Sequence, residues 1–229
     1  MGLRGYAICT APRSGSAFLT QALASTGQLG RPYEYFNPGI RRLPGMADHP
    51  DDPHAQLAAI TTRGATPNGV YGFKLFADQA DRAAETRWPV VLPDLSFIHL
   101  ERRDALGQAL SFARARSSGQ FRSTLPKGRE PAYDRALIEL SLRKIVKGQA
   151  RWRLYFASNG LQPLHLFYED VVRDPQAAVE QVAALIGLGE PVVCDAAQID
   201  VEVQRDDVTV QWRERFLAEA TDLDRIDAL

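Results

Sequence analysis

Apolar residues along this chain fall into short unbroken runs separated by stretches in which they recur every three or four positions. The first run, Tyr6-Ala-Ile-Cys9, predicts a buried strand, and Phe18, Leu19, Ala22 and Leu23 then follow at helical spacing until Thr26-Gly27 stops the helix. A short helix is predicted over 54–63. Behind the turn Thr66-Pro-Asn-Gly69, the run Val70-Tyr-Gly-Phe-Lys-Leu-Phe76 reads as a second strand. A polar helix over 78–87 leads to a third strand, Leu95-Ser-Phe-Ile-His-Leu100, whose unbroken apolar character suits a parallel sheet buried on both sides. Asp104 caps a helix through Leu106, Leu110 and Phe112, and a polar, basic loop covers 117–133. A long amphipathic helix over 133–159 carries Ile138, Leu142, Ile145, Trp152 and Phe156 on one stripe, and Gly160 ends it. A fourth strand over 163–168 precedes a helix over 175–186. Strand and helix alternate throughout, so the fold class is α/β, a central parallel sheet with helices on both faces.

Composition narrows the setting. With 229 residues, 45% of them hydrophobic, the chain is expected to form one domain over 1–229 around a sizeable core. Its net charge is −1 and no run of like charges occurs, so nucleic acid and anionic membrane surfaces are not expected partners and any anion site is local. Cys9 and Cys194 lack metal-ligand spacing and suggest thiols in a reducing compartment, with a disulfide left open. The first strand begins within a few residues of Met1, and no apolar run is long enough to span a bilayer, so a cytoplasmic location is expected. Gly2 would suit myristoylation, but Tyr6 stands where that signal needs Ser or Thr.

The candidate chemistry starts at the loop between the first strand and helix. Ser14 and Ser16 are good helix caps, and Gly15 lets the backbone come close to a ligand. Unpaired N–H groups at the helix start favour a phosphate, and Arg13 adds a positive charge. Neither G-x-x-x-x-G-K-[ST] nor G-x-G-x-x-G is present, and alone the loop also fits an ordinary strand-to-helix turn. Lys74 in an apolar strand either snorkels to the strand end or faces an anion. Arg102 and Ser111, nine positions apart, can meet if one ends a strand and the other lies two turns into a helix; surface charges are the alternative. Arg13, Lys74, Arg102 and Tyr168 all fall at or near carboxyl ends of strands, where ligands bind in such sheets.

Four stretches in order resemble sulfotransferases that use 3′-phosphoadenosine 5′-phosphosulfate (PAPS), whose fold is a P-loop-like central parallel sheet. Ala11-Pro-Arg-Ser-Gly-Ser-Ala-Phe-Leu19 resembles that family's loop for the 5′-phosphosulfate, and the strand ending near Lys74 resembles its second strand. Arg102 with Ser111 resembles the pair for the 3′-phosphate, and Phe167-Tyr-Glu-Asp170 resembles the segment whose Tyr, here Tyr168, lies near the adenine. Within the superfamily, Arg13-Ser-Gly-Ser16, Ala24-Ser-Thr-Gly27, Pro32-Tyr-Glu-Tyr-Phe36 and Thr66-Pro-Asn-Gly-Val-Tyr-Gly-Phe-Lys-Leu75 are similar to the bacterial trehalose 2-sulfotransferase group. That resemblance implies Glu34 as the base, donor contacts from Arg13, Ser14, Gly15, Ser16, Ala17 and Phe18, and a homodimer. It also carries a donor contact over to Arg205. Pro12 replaces a glutamine that touches the sugar in that group, and the region between Phe36 and Thr66 is shorter here, which argues against trehalose itself as acceptor.

These readings imply in-line sulfuryl transfer from PAPS to a hydroxyl of a carbohydrate or glycolipid acceptor, with fixed cations in place of a metal ion. Arg13 and Lys74 would stabilise the departing phosphate. Glu34 would take the hydroxyl proton with a pKa raised by aromatic neighbours if buried, and Tyr33, Tyr35 and Phe36 would offer flat faces to a sugar. An ATP-dependent phosphotransferase and a non-catalytic nucleotide-binding module are the alternatives.

Overall fold

The computed structural model describes residues 2–43, 45–121, 130–201 and 207–219. The four predicted runs form β1 (Arg4–Thr10), β2 (Val70–Phe76), β3 (Leu95–Glu101) and β4 (Leu164–Phe167). All pair in parallel, in the order β2-β1-β3-β4. Thr10 stands opposite both Phe76 and Leu100, so the carboxyl ends of the three longer strands are level and open onto one edge.

Side chains alternate between two cores, as the period of a strand requires. On one face, Tyr6, Ile8, Ile98, Leu100 and Leu166 pack against α1 (Ser16–Ser25), while on the other Ala7, Cys9, Phe73, Leu75 and Phe97 pack toward α2 (Pro53–Thr62). The polar helix expected over 78–87 is broken into α3 (Ala77–Arg82), a 3₁₀ turn and α4 (Trp88–Val91), because Arg87 adopts φ 52° and Pro89 follows. Helix α5 (Ala105–Ser118) starts at the expected cap, where Asp104 accepts from the Gly107 N–H, and runs two residues into the expected loop until Gly119 at φ 78° ends it. The long helix is α6 (Arg135–Ser158), capped by Asp134, and buries Trp152 and Phe156 against the second face.

The fourth strand is shorter than expected. Tyr168 opens α7 (Tyr168–Arg173), which leads into α8 (Pro175–Leu185) on the first face; α9 (Asp207–Ala218) packs Trp212 and Phe216 on α5 and α6. Both cysteines are free thiols. Among the described residues no helix is long and apolar enough to cross a membrane.

Candidate active site

Between β1 and α1 the chain turns through two left-handed residues, Arg13 at φ 62° and Gly15 at φ 81°. Gly15 is the N-cap and no side chain caps α1, so the expected capping by Ser14 and Ser16 does not occur. The Ser14 hydroxyl is instead buried 2.7 Å from Thr10 Oγ1. Thr10 also lies 2.7 Å from the Leu100 carbonyl, which can only accept, so Thr10 donates there and takes its own hydrogen bond from Ser14. Ser14 thus ties the loop to β1 and β3. The Gln108 amide donates to the Pro12 carbonyl at 2.7 Å and the Trp152 indole to the Thr10 carbonyl at 3.0 Å, pinning the loop from α5 and α6. Phe18 N–H is already given to the Gly15 carbonyl at 3.0 Å. The N–H groups of 14–17 have no such backbone partner among the described residues, as expected of the first turn of a helix.

Arginines gather beside this loop. Arg13 donates from Nε to Ser111 Oγ at 2.9 Å and from a terminal nitrogen to the Phe121 carbonyl at 2.7 Å, both neutral acceptors. Burial lowers its pKa, and the charges of Arg102 and Arg114 lower it further. Ser111 thus bonds Arg13 rather than Arg102 directly, while the turn after β3 carries Arg102 over the Tyr168 ring, 5.1 Å from its centroid. Arg102 reaches Asp104 only at 3.7 Å, and its buried Nε has no hydrogen-bond partner among the described residues. A buried donor without an acceptor, in a cluster of like charges, fits a site shaped for an anion. Tyr168 is held there by its neighbours: Glu169 accepts from the Arg103 and Asp104 N–H groups at 3.1 and 3.3 Å, and Asp170 pairs with Arg103 at 2.6 Å. Arg205 lies outside the described residues.

One strand away, the segment through Tyr33 runs beside β2. Tyr33 pairs with Phe73, and its carbonyl accepts from the Lys74 N–H at 2.9 Å, which brings Glu34 over the Lys74 side chain. Lys74 Nζ sits 2.9 Å from Glu34 Oε1, and both are largely buried. Glu34 Oε2 accepts from Asn37 at 2.9 Å and from Gln79 at 3.2 Å. Burial alone would raise the Glu34 pKa. The Lys74 charge and the hydrogen bonds from Lys74, Asn37 and Gln79 outweigh it and hold the carboxyl below its ordinary range. The expectation of a raised pKa is thus reversed: the dominant neighbour is a cation, not an aromatic ring.

The aromatic cluster divides in two. Tyr35 is fully buried with its hydroxyl on the Arg31 carbonyl, and Phe36 is 3% exposed and packs edge-on against Phe73. Neither can receive a sugar; both support the core under Glu34, and of the three only Tyr33 is partly open. Sequence reasoning did not single out Asn37, Gln79, Gln108 or Arg114. Gln79 had a usable signal, since it stands at the third position of the helix after β2 and its side chain accepts from the Phe76 N–H at 2.8 Å.

Comparison with known proteins places the chain in a family. The family model for Stf0 sulphotransferase matches residues 5–219. The trehalose 2-sulfotransferase of Mycobacterium tuberculosis (strain ATCC 35801 / TMC 107 / Erdman) is 30% identical, over 95% of this chain and 96% of that protein. The trehalose 2-sulfotransferase of Mycolicibacterium smegmatis is 27% identical, over 94% and 95%. In fold the chain is similar to a sulfotransferase domain from the curacin biosynthetic pathway, with TM-score 0.54 and 16% identity over 95% of this chain and 99% of that one. A sulfotransferase from Alicyclobacillus acidocaldarius gives TM-score 0.53 and 17% identity over 94% and 91%. The α/β fold is therefore that of sulfotransferases, and the chain belongs to the Stf0 sulphotransferase family.

Proposed function

We propose that this sulfotransferase moves the sulfuryl group of PAPS to a hydroxyl of a carbohydrate or glycolipid, with Glu34 as the base. The observation that carries the reading is the buried pair of Glu34 and Lys74 at the strand edge that also bears the arginine cluster. The N–H groups of 14–17 and Arg13 would hold the 5′-phosphate, and Arg102, Ser111 and the Tyr168 ring would receive the 3′-phosphate and adenine. The lowered pKa keeps Glu34 ionised at neutral pH, so the base is present before substrate arrives. As the acceptor oxygen bonds to sulfur, its proton passes to Glu34 and the bond from sulfur to the phosphate oxygen breaks. Lys74, no longer needed by a protonated Glu34, is then free to meet the charge growing on that phosphate. Asn37 and Gln79 keep the carboxylate in place through the exchange. The relatives named for trehalose support a carbohydrate acceptor, while Pro12 gives no side-chain hydrogen bond to a sugar and supports one other than trehalose.

The test is transfer from PAPS to a panel of mono-, di- and glycolipid saccharides, with sulfated product read by mass spectrometry. Glu34→Gln is expected to keep the product nucleotide 3′-phosphoadenosine 5′-phosphate bound and to lose roughly 10²- to 10⁴-fold in turnover. A fully active Glu34→Gln enzyme would remove Glu34 from the role.

A further inference from the structure

On the α6 side of the sheet, His99, Glu101 and His165 each bring one ligand atom within 4.8 Å of the others. The backbone puts them there. His99 and Glu101 are two apart on β3 and so share a face, and the strand register sets His99 directly opposite His165 on β4. Their rings stack with centroids 5.1 Å apart.

Hydrogen bonding decides which nitrogen of His99 carries the proton. Gln149 Nε2 donates to the Leu100 carbonyl at 3.2 Å, an atom that can only accept, so Gln149 Oε1 is the atom 2.9 Å from His99 Nε2. An amide oxygen also only accepts, and His99 must therefore bear its proton on Nε2. Its Nδ1 is left with a lone pair 4.0 Å from Glu101 Oε2, another acceptor. The same Oε2 is met by His165 Nε2 at 2.5 Å, while Oε1 is held by Arg153 at 2.8 Å.

We propose that His99 Nδ1, Glu101 Oε2 and His165 Nε2 form a site for one divalent transition-metal ion of the zinc class. Two imidazoles and a carboxylate suit that ion, and three protein ligands leave a fourth position for water. Gln149 supplies the outer contact that orients a ligating imidazole. Zinc bonds of about 2.0–2.2 Å require the three atoms to close in around the ion. The His165 side chain is 45% exposed, so its ring can swing off Glu101 and back onto a metal. Arg153 stays on the other oxygen, and the two imidazoles favour zinc over hard cations such as magnesium, which take oxygen ligands. The site is on β3 and β4, with β1 between it and the Lys74 strand.

The test uses the full chain, stripped with chelator and titrated with Zn²⁺ alone by calorimetry, with Co²⁺ absorption as a second probe of coordination. One ion per chain is expected, with affinity at least about 10-fold weaker in both His165→Ala and His165→Gln and in Gln149→Leu. His54→Ala, exposed on α2, should bind as the parent does. No saturable binding by the parent protein, or binding that survives both His165 substitutions, would overturn the site.

Discussion

Tyr168 lies against Gly15 so closely that a Cβ added to the glycine would fall 1.9 Å from ring carbon Cδ2. The same glycine is at φ 81°, so the residue opening α7 and the residue capping α1 can meet only while position 15 has no side chain. Gly15→Ala is expected to cost roughly 1–3 kcal/mol in urea unfolding. Gly27→Ala serves as comparison, since Gly27 has a similar φ of 65° but nothing within 4 Å of an added Cβ. Equal losses in the two variants would mean that the Tyr168 contact is slack.

Arg102 should be dispensable for folding and needed for ligand. Its Nε is buried without a partner among the described residues and its charge lowers the pKa of the neighbouring Arg13, so Arg102→Met is expected to melt at or above the parent temperature without nucleotide. With 3′-phosphoadenosine 5′-phosphate at about 100 times its dissociation constant, the parent should gain about 2.7 kcal/mol and the variant far less. Thermal scans with and without nucleotide decide it; a variant that gains as much as the parent excludes Arg102 from the site.

The Glu34 pair predicts a definite dependence on pH. The folded pKa of Glu34 is lowered by Lys74, Asn37 and Gln79 against its burial, from an ordinary value of 4.5. Its stabilisation is therefore fully present above that value and is lost as pH falls through the lower folded one. Glu34→Gln leaves Lys74 buried and unpaired, a change that costs roughly 3–5 kcal/mol near neutrality. That deficit should shrink toward zero in acid, where the parent's own Glu34 is protonated. Urea unfolding from pH 7 down to about pH 3 follows it, and a deficit independent of pH would mean that the pair is not ionised.

Much of this arrangement is legible in the residues themselves. The four strands could be read because each is an apolar run bounded by turn residues, and the order of Arg13, Lys74, Arg102 and Tyr168 along it placed them near one edge. What could not be read is direction. Tyr33-Glu-Tyr-Phe36 has the same composition whether its rings face solvent or core, and only the pairing of Tyr33 with Phe73 sends Tyr35 and Phe36 inward and Glu34 onto Lys74. Likewise Arg102 and Ser111 have the spacing to meet, yet the left-handed turn at Arg13 delivers a different guanidinium to Ser111. Such contacts depend on tertiary placement, which neither periodicity nor spacing encodes.

Separating the aromatics gives a further expectation. Tyr35→Ala empties a fully buried position and should cost about 3–5 kcal/mol of stability. Tyr33→Ala, at a partly open position on the edge of the same core, should cost clearly less and raise KM for the acceptor while kcat moves less. Steady-state kinetics on an accepted saccharide separates these, and an unchanged KM would take Tyr33 out of acceptor binding.

The most direct test of the account is calorimetric titration with 3′-phosphoadenosine 5′-phosphate beside ATP without magnesium, on the parent protein and on Arg102→Ala. The account predicts saturable binding of the bisphosphate, little binding of ATP, and a loss of roughly 10- to 150-fold in Arg102→Ala, the worth of one charge-assisted hydrogen bond. Preference for ATP, no binding of either nucleotide, or an unaffected Arg102→Ala would contradict it.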